Sequence, residues 1–177
     1  MASKRTDIDR LFLYDPGEYV MRKQAEYFAG RSGKHAKAPI RGIKDVVNAL
    51  SPYSQLKWLH FNTHGMPGKI YFERSPNTIT VGNLHALCES NKALGDNARI
   101  LFHGCNIGES GAGSDFITVC GRYLLKEHGG FVGASTGMMF AGFFSLFGLS
   151  DQTYRYWGKL RIYQFDKLGD VIRQIAR

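Results

Sequence analysis

Two stretches of the chain decide the fold: WLHFNTHG at residues 58–65 and RILFHGCN at residues 99–106. Each begins with a short apolar run that is typical of a buried strand, and each ends at a glycine beside a reactive side chain. Parallel strands of one sheet would bring His64 and Cys105 to the same sheet edge, where open α/β folds bind their ligands. An imidazole and a thiol at one edge can serve as a general base and a nucleophile. The two stretches therefore predict a cysteine-based active site at the end of a parallel sheet.

The rest of the chain alternates between strand-like and helix-like patterns. We predict strands at residues 11–14, 69–73 and 131–136, a strand or hairpin at 153–165, helices at 18–29, 43–50, 81–94, 114–125 and 166–176, and a long loop at 31–39. Strands that alternate with helices indicate a mainly parallel sheet covered on both faces. The predicted fold is a three-layer α/β/α sandwich, and 177 residues fit a single domain over residues 1–177.

The composition is that of a globular protein, with 44% hydrophobic and 13% aromatic residues. The net charge of +8 would favour anionic partners, but the cations are dispersed and no nucleic-acid motif is present, so nucleic acid is not an expected partner. No apolar stretch approaches the roughly twenty residues of a membrane span. The first residues carry no secretory signal, which predicts a cytoplasmic protein and leaves signal-independent delivery into another cell open.

The three cysteines argue against a disulfide framework, because their number is odd and their spacing is wide. Cys88 and Cys120 lie in helix-like patterns with apolar neighbours, so we expect both to be buried structural thiols. Cys105 differs, because a glycine precedes it and the polar Asn106 follows it. Of the three, Cys105 is the candidate nucleophile.

Other sites fit the sequence less well. The pairs His85/Cys88 and His103/Cys105 do not supply the four convergent ligands that zinc needs, so we expect no metal and no cofactor. A nucleophile elbow of the Gly-x-Cys-x-Gly type is not matched, because His103 and Ile107 stand at the glycine positions. The glycine-rich residues 108–113 lack the Gly-Lys-Ser/Thr of a phosphate loop and are interpreted as a mobile loop at the mouth of the site. The apolar residues 138–149 are interpreted as a further loop near it.

The chemistry that the two stretches favour is acyl transfer. The Cys105 thiolate would attack a carbonyl carbon, with His64 taking the thiol proton and protonating the leaving amine. The oxyanion that develops needs preorganised donors, and backbone N–H groups are well suited to this. The amide of Gly65 is a candidate because no side chain blocks its approach, and the amide of Cys105 is a second.

These motifs resemble those of caspase-like cysteine peptidases, a group that includes caspases, legumains, gingipains and separases. The likeness is greatest to bacterial caspase-like domains with an SHG motif followed by a GCN motif. The matching residues, in the expected order, are 59–65, 100–108, 113–116 and 133–136. The resemblance extends over about residues 57–136 of the chain.

The resemblance implies a caspase-like fold, His64 as general base, Cys105 as nucleophile and the Gly65 amide in the oxyanion hole. It also implies that Ser135 and Thr136 form part of the wall of the substrate pocket, with His103 as a further candidate. The Gln-Ala-Cys signature of animal caspases is absent, so the resemblance does not imply specificity for aspartate. No long processing linker follows the cysteine strand, so activation by internal cleavage is not expected.

Two functional hypotheses follow. The preferred one is a cysteine endopeptidase that uses a Cys105/His64 dyad, forms a thioester intermediate, and acts on a protein or peptide substrate. Because some bacterial relatives are non-catalytic or need a partner, an activating or inhibitory protein partner belongs to this hypothesis. The alternative is a catalytically silent caspase-like module that binds proteins through residues 138–149 or its basic surface.

Overall fold

A seven-stranded sheet lies at the centre of the protein in the computed structural model, which describes residues 4–140, 155–156 and 160–176. The strands are β1 Arg10–Tyr14, β2 His35–Pro39, β3 Leu56–Asn62, β4 His64–Met66, β5 Lys69–Tyr71, β6 Thr78–Thr80, β7 Leu94–Phe102, β8 Gly130–Ser135, β9 Met139–Phe140, β10 Arg155–Tyr156, β11 Leu160–Phe165 and β12 Val171–Ala176. The helices are α1 Tyr19–Gly30, α2 Ile43–Leu50 and α3 Ser110–Leu124, with a 3₁₀ helix at Val81–Ala93.

The central sheet is mainly parallel, as the alternation of strands and helices predicts. Its strand order is β2-β1-β3-β7-β8-β11-β12. The first five strands in this order run parallel to one another, whereas β11 is antiparallel to both β8 and β12. Phe61 of β3 lies opposite Phe102 of β7, so the two strands end level with each other. The residues that follow these strands therefore leave the same sheet edge.

Helices cover both faces of the sheet, which confirms the three-layer prediction. Side chains of a strand alternate between faces. In β1, the buried Leu11 and Leu13 belong to the main core, which includes residues of α2, α3 and the 3₁₀ helix. The buried Phe12 and Tyr14 pack on the opposite face with Ala25 and Phe28 of α1. This face places the start of α1 close to the end of β3.

The predicted closing helix at residues 166–176 is wrong, because the residues from Val171 onward form β12, antiparallel to β11. The carboxylate of Asp166 accepts hydrogen bonds from the N–H groups of Leu168 at 2.9 Å and Asp170 at 3.0 Å. Gly169 has a φ of +84°, which a glycine adopts readily. Asp166 thus stabilises a hairpin turn at the position where the sequence predicts the start of a helix.

The predicted loop at residues 31–39 is also wrong in its second half, which forms β2, parallel to β1. This strand lies at the edge of the sheet, where polar residues and a proline such as Pro39 are tolerated.

The glycine-rich residues 108–113 are not a loop over their whole length, because α3 begins at Ser110. Ser114, the predicted first residue of this helix, lies inside α3, and its hydroxyl is 2.6 Å from the hydroxyl of Tyr163.

The predicted helix at residues 81–94 is present as a 3₁₀ helix. A 3₁₀ helix has three residues per turn, so every third residue faces the same way. Leu84, Leu87, Ser90 and Ala93 follow this spacing and are buried, and Asn91 is buried as well. Cys88 falls outside this series and is exposed, which corrects the expectation that it is a buried structural thiol. Cys120 of α3 is buried, as expected.

Part of the chain lies outside the described residues. Of the apolar stretch 138–149, the structure describes only residues 138–140, so the interpretation of residues 141–149 as a loop near the site lies outside the described part. The predicted strand or hairpin at 153–165 corresponds to β10 and β11 where it is described. Among the described helices, none is both long and apolar enough to span a membrane.

Candidate active site

Cys105 lies on a short loop between the end of β7 and the start of α3, at the carboxyl edge of the parallel strands. The loop is attached to the segment after β8 by two backbone hydrogen bonds. The N–H of Asn106 donates to the carbonyl of Gly137 at 2.9 Å, and that of Gly108 donates to the carbonyl of Ser135 at 2.7 Å. The Cys105 side chain is partly exposed, so its thiol is held in place at the surface rather than buried.

His64 begins β4, which forms a small antiparallel sheet with β5 and β6 beside the central sheet. This small sheet contacts the cysteine loop directly. The N–H of Gly68, in the turn between β4 and β5, donates to the carbonyl of Ile107 at 3.0 Å. The segment that carries His64 is therefore hydrogen-bonded to the segment that carries Cys105.

The backbone approach between these two segments requires glycine on both sides. A Cβ on Gly65 would lie 2.2 Å from Ile107 Cγ1 and 2.8 Å from the carbonyl oxygen of Cys105. A Cβ on Gly104 would lie 3.2 Å from the backbone nitrogen of Gly65 and 3.0 Å from the carbonyl oxygen of Thr63. The backbone of the His64–Gly65 segment thus lies against the backbone of the loop that carries Cys105.

The imidazole of His64 has neighbours on two sides. Its ring stacks on the ring of Tyr71 with centroids 5.2 Å apart. Its Nε2 atom lies 3.8 Å from Oε2 of Glu18, and both side chains are about 30% exposed (31% and 29%). Sequence reasoning did not place Glu18 at this site. The available signal was the turn that follows β1, but its relevance depends on β1 lying next to β3, which the local pattern does not reveal.

Buried polar side chains connect the start of α1 to the elements around His64. Asn62, the last residue of β3, donates from Nδ2 to Oε1 of Gln24 at 2.9 Å and to the carbonyl of Met21 at 3.2 Å. The fully buried carboxylate of Asp15 accepts from the N–H of Gly17 at 2.9 Å and from that of Glu73 at 2.6 Å. These hydrogen bonds fix α1, β3 and the segment after β5 relative to one another.

His103, a predicted pocket residue, is 5% exposed and lies against His60. The two rings are stacked with centroids 5.2 Å apart, and His60 Nδ1 is 2.9 Å from His103 Nε2. Burial lowers the pKa of His103 to about 3. Burial, followed by the neighbouring His103, also holds the pKa of His60 well below its usual value. Both rings are therefore neutral at pH 7 and form part of the packing beneath the cysteine loop.

Ser135 and Thr136, the other predicted pocket residues, lie at the end of β8. Ser135 is fully buried, and its hydroxyl donates to the carbonyl of Gly137 at 2.8 Å and accepts from the N–H of Gly137 at 3.1 Å. This hydroxyl shapes the turn to which the cysteine loop is attached. Thr136 is partly exposed at the same edge. Of the three predicted pocket residues, Thr136 is the one whose surface reaches solvent to a substantial degree.

The remaining thiols differ from Cys105 in their surroundings. Burial raises the pKa of the Cys120 thiol, whereas Cys88 is exposed on the 3₁₀ helix. Within the described ranges, no group of three or more His, Cys, Asp or Glu side chains is arranged to hold a metal ion.

A family model with the description "Domain of unknown function (DUF4347)" matches residues 35–136, which is more than half of the 177 residues. The chain belongs to the DUF4347 family. The part of this DUF4347 chain that matches begins at β2 and ends just after β8, so it contains both His64 and Cys105.

The DUF4347 chain is also similar to a solved structure, described as an X-ray structure of a secreted C11 cysteine protease from Bacteroides thetaiotaomicron in complex with an irreversible peptide inhibitor. The TM-score is 0.47 and the sequence identity is 10%. The similarity covers 89% of the DUF4347 chain and 66% of that protease, so the chain spans about two thirds of the protease's length. No curated protein matches the chain.

Proposed function

We propose that this protein is a cysteine endopeptidase in which Cys105 is the nucleophile and His64 the general base. The observation that carries this proposal is the backbone contact between the two glycine-flanked segments. A Cβ on Gly65 would come within 2.8 Å of the Cys105 carbonyl oxygen, so the imidazole and the thiol leave adjoining backbones at one sheet edge. The motif resemblance to caspase-like peptidases supports peptide substrates.

The reaction would proceed through a thioester. His64 takes the proton of the Cys105 thiol, and the sulfur forms a bond to the carbonyl carbon of the peptide. The negative charge that develops on the carbonyl oxygen is stabilised by the Gly65 amide. The carbon–nitrogen bond then breaks, and His64 gives its proton to the leaving amine. A water molecule attacks the thioester, which releases the carboxylic acid and restores the thiol. None of these reaction steps requires a cofactor.

The same proposal gives roles in substrate binding to the residues near the end of β8 and to His103. Thr136 would line the pocket for the residue before the scissile bond, because it is partly exposed next to the turn that holds the cysteine loop. Ser135 would contribute by shaping that turn through its hydrogen bonds to Gly137. His103 would contribute by supporting the strand that precedes the loop, through its contact with His60.

Cleavage of a proteome-derived peptide library, read by mass spectrometry, tests the proposal. Wild type is compared with Cys105→Ala and with Cys88→Ala, which removes the exposed thiol of the 3₁₀ helix. Cuts made by wild type and by Cys88→Ala, and absent with Cys105→Ala, support the peptidase and give its specificity. Cuts retained by Cys105→Ala overturn the assignment. A folded wild-type protein that makes no cuts points to the alternative, a protein-binding module, or to a peptidase that needs its activating partner.

A further inference from the structure

We propose that Glu18 is a positioning residue that orients His64 and balances its positive charge during the reaction. This inference rests on the proposed peptidase function and adds a third member to its dyad. Glu18 lies in the turn after β1, at the same sheet edge as His64 and Cys105. Its carboxylate oxygen Oε2 is 3.8 Å from Nε2 of His64.

The Glu18 carboxylate is itself held in place by the helix that it caps. Glu18 is the N-cap of α1, and its Oε1 atom accepts a hydrogen bond from the N–H of Val20 at 3.3 Å. With one oxygen bound to the helix terminus, the other oxygen faces His64. The hydrogen bond from Val20 therefore orients the carboxylate toward His64.

Buried side chains hold the backbone before and after Glu18 by hydrogen bonds. Before it, the buried Asp15 carboxylate closes the turn by accepting from the N–H of Gly17 at 2.9 Å. After it, Asn62 ties α1 to the end of β3, two residues before His64, through its hydrogen bond to Gln24 at 2.9 Å. The strand that leads to His64 and the helix that presents Glu18 are thus joined by buried hydrogen bonds, which preserve the spacing of the two side chains.

The arrangement assigns a role to each nitrogen of the imidazole. Tyr71 stacks on the ring face and limits its rotation, while Glu18 faces Nε2. This leaves Nδ1 to take the thiol proton of Cys105. Once that proton is transferred, the ring is positively charged, and the nearby carboxylate stabilises it. A separation of 3.8 Å exceeds hydrogen-bond distance. Catalytic contacts of this kind often shorten only when substrate binds.

The test is the substitution Glu18→Gln, with Glu26→Gln as the matched control. The glutamine retains an oxygen that can accept from Val20, so the helix cap is kept while the charge is removed. Glu26 lies on the same helix but pairs with Lys23 at 3.0 Å and with Lys37 at 3.6 Å, away from His64. Both variants therefore lose one negative charge from a partly exposed ion pair.

Two readouts are measured: kcat and KM on a peptide that wild type cleaves, and the rate at which iodoacetamide alkylates Cys105. For Glu18→Gln we expect kcat to fall about tenfold, with KM and the urea midpoint of unfolding unchanged, since the interaction matters when His64 is charged. Alkylation of Cys105 should slow in the same variant, because less thiolate is present. Glu26→Gln should match wild type in both readouts.

The outcomes separate this inference from the proposed function. Wild-type kcat and alkylation in Glu18→Gln would overturn the role of Glu18, as would an equal loss in Glu26→Gln. If His64→Ala slows alkylation of Cys105 and Glu18→Gln does not, the dyad stands and the third member fails. If His64→Ala also leaves alkylation unchanged, the proposed dyad fails with it.

Discussion

Substituting alanine for Gly65 should destabilise the protein, because the place of its missing side chain is already filled. A Cβ would lie 2.2 Å from Ile107 Cγ1, 2.7 Å from Ile107 Cδ1 and 2.8 Å from the backbone oxygen of Cys105. Real Cβ contacts are not this short, so the atoms must move apart. Gly65 has no positive φ, so the effect is one of space rather than of backbone conformation.

The size of the effect follows from what has to move. Forcing an extra carbon into a well-packed region costs about 1–3 kcal/mol. We expect the upper half of that range, because Ile107 is fully buried and the Cys105 oxygen belongs to the backbone. Gly111→Ala is the matched control, since a Cβ there has nothing within 4 Å. In the first turn of α3 it should be neutral or stabilise the protein by up to about 1 kcal/mol.

A double-mutant cycle with Ile107→Ala isolates the contact, with the free energies of unfolding measured in urea. Ile107→Ala alone should cost about 2–5 kcal/mol, as buried isoleucine truncations do. The double variant should cost less than the sum of the two, by about 0.5–3 kcal/mol, because alanine at position 107 makes room for the new Cβ. The relief should be partial, since the contact with the Cys105 oxygen remains.

Additivity would refute the reasoning. If the two single costs add within about 0.5 kcal/mol, Gly65 does not lie against Ile107, and the His64 segment does not contact the cysteine loop as described. A neutral Gly65→Ala variant would lead to the same conclusion. Neither measurement depends on enzymatic activity, so the geometry of the site is tested before its function.

Three further predictions concern other buried groups. In the folded protein, maleimide should leave Cys120 unmodified, because the thiol is buried and burial raises its pKa, while the exposed Cys88 reacts. Labelling of Cys120 in the folded protein at pH 7 would contradict its burial. Burial lowers the pKa of His103 to about 3, so its contribution to stability is complete above pH 6.5 and is lost as the pH falls toward 3. Between pH 7 and pH 5, His103→Phe should therefore lose about 2 kcal/mol less than wild type in urea titrations, and parallel pH curves would count against it. Asp15→Ala should cost about 1–3 kcal/mol in the same assay, because two backbone N–H groups lose their acceptor, whereas a loss below about 0.5 kcal/mol would show that water replaces it.

Local pattern was sufficient for the elements whose buried residues follow a run or a repeat along the chain. The apolar runs of β3 and β7 and the periodicity of α2 are visible in the sequence because each is set by neighbours close along the chain. The edge strand β2 and the closing strand β12 could not be predicted in this way. β2 lacks an apolar run because the strand lies at a sheet edge, and β12 forms because of its pairing with β11. Both depend on contacts that local periodicity does not encode.

The candidate site divides in the same way. Glycines beside His64 and Cys105 mark the two strand ends, so these residues are predictable from the sequence. The position of Glu18 depends on β1 pairing with β3, and the contact of His103 with His60 depends on the register that places Leu101 opposite His60. Strand order and register are properties of the assembled sheet. Reading one strand at a time therefore finds the candidate residues at the strand ends and misses the side chains that lie against them in the sheet.

The antiparallel hairpin formed by β11 and β12 also covers a strand that would otherwise form the edge of the sheet. It covers the outer side of β8, whose sequence GFVGAS carries no charge and no proline. An uncovered strand of this kind is a template for pairing with another molecule. The hairpin replaces it at the edge with β12, which bears the exposed Arg173. A cut between β8 and β11 that allowed the hairpin to leave would therefore expose the backbone of β8 to pairing with another molecule.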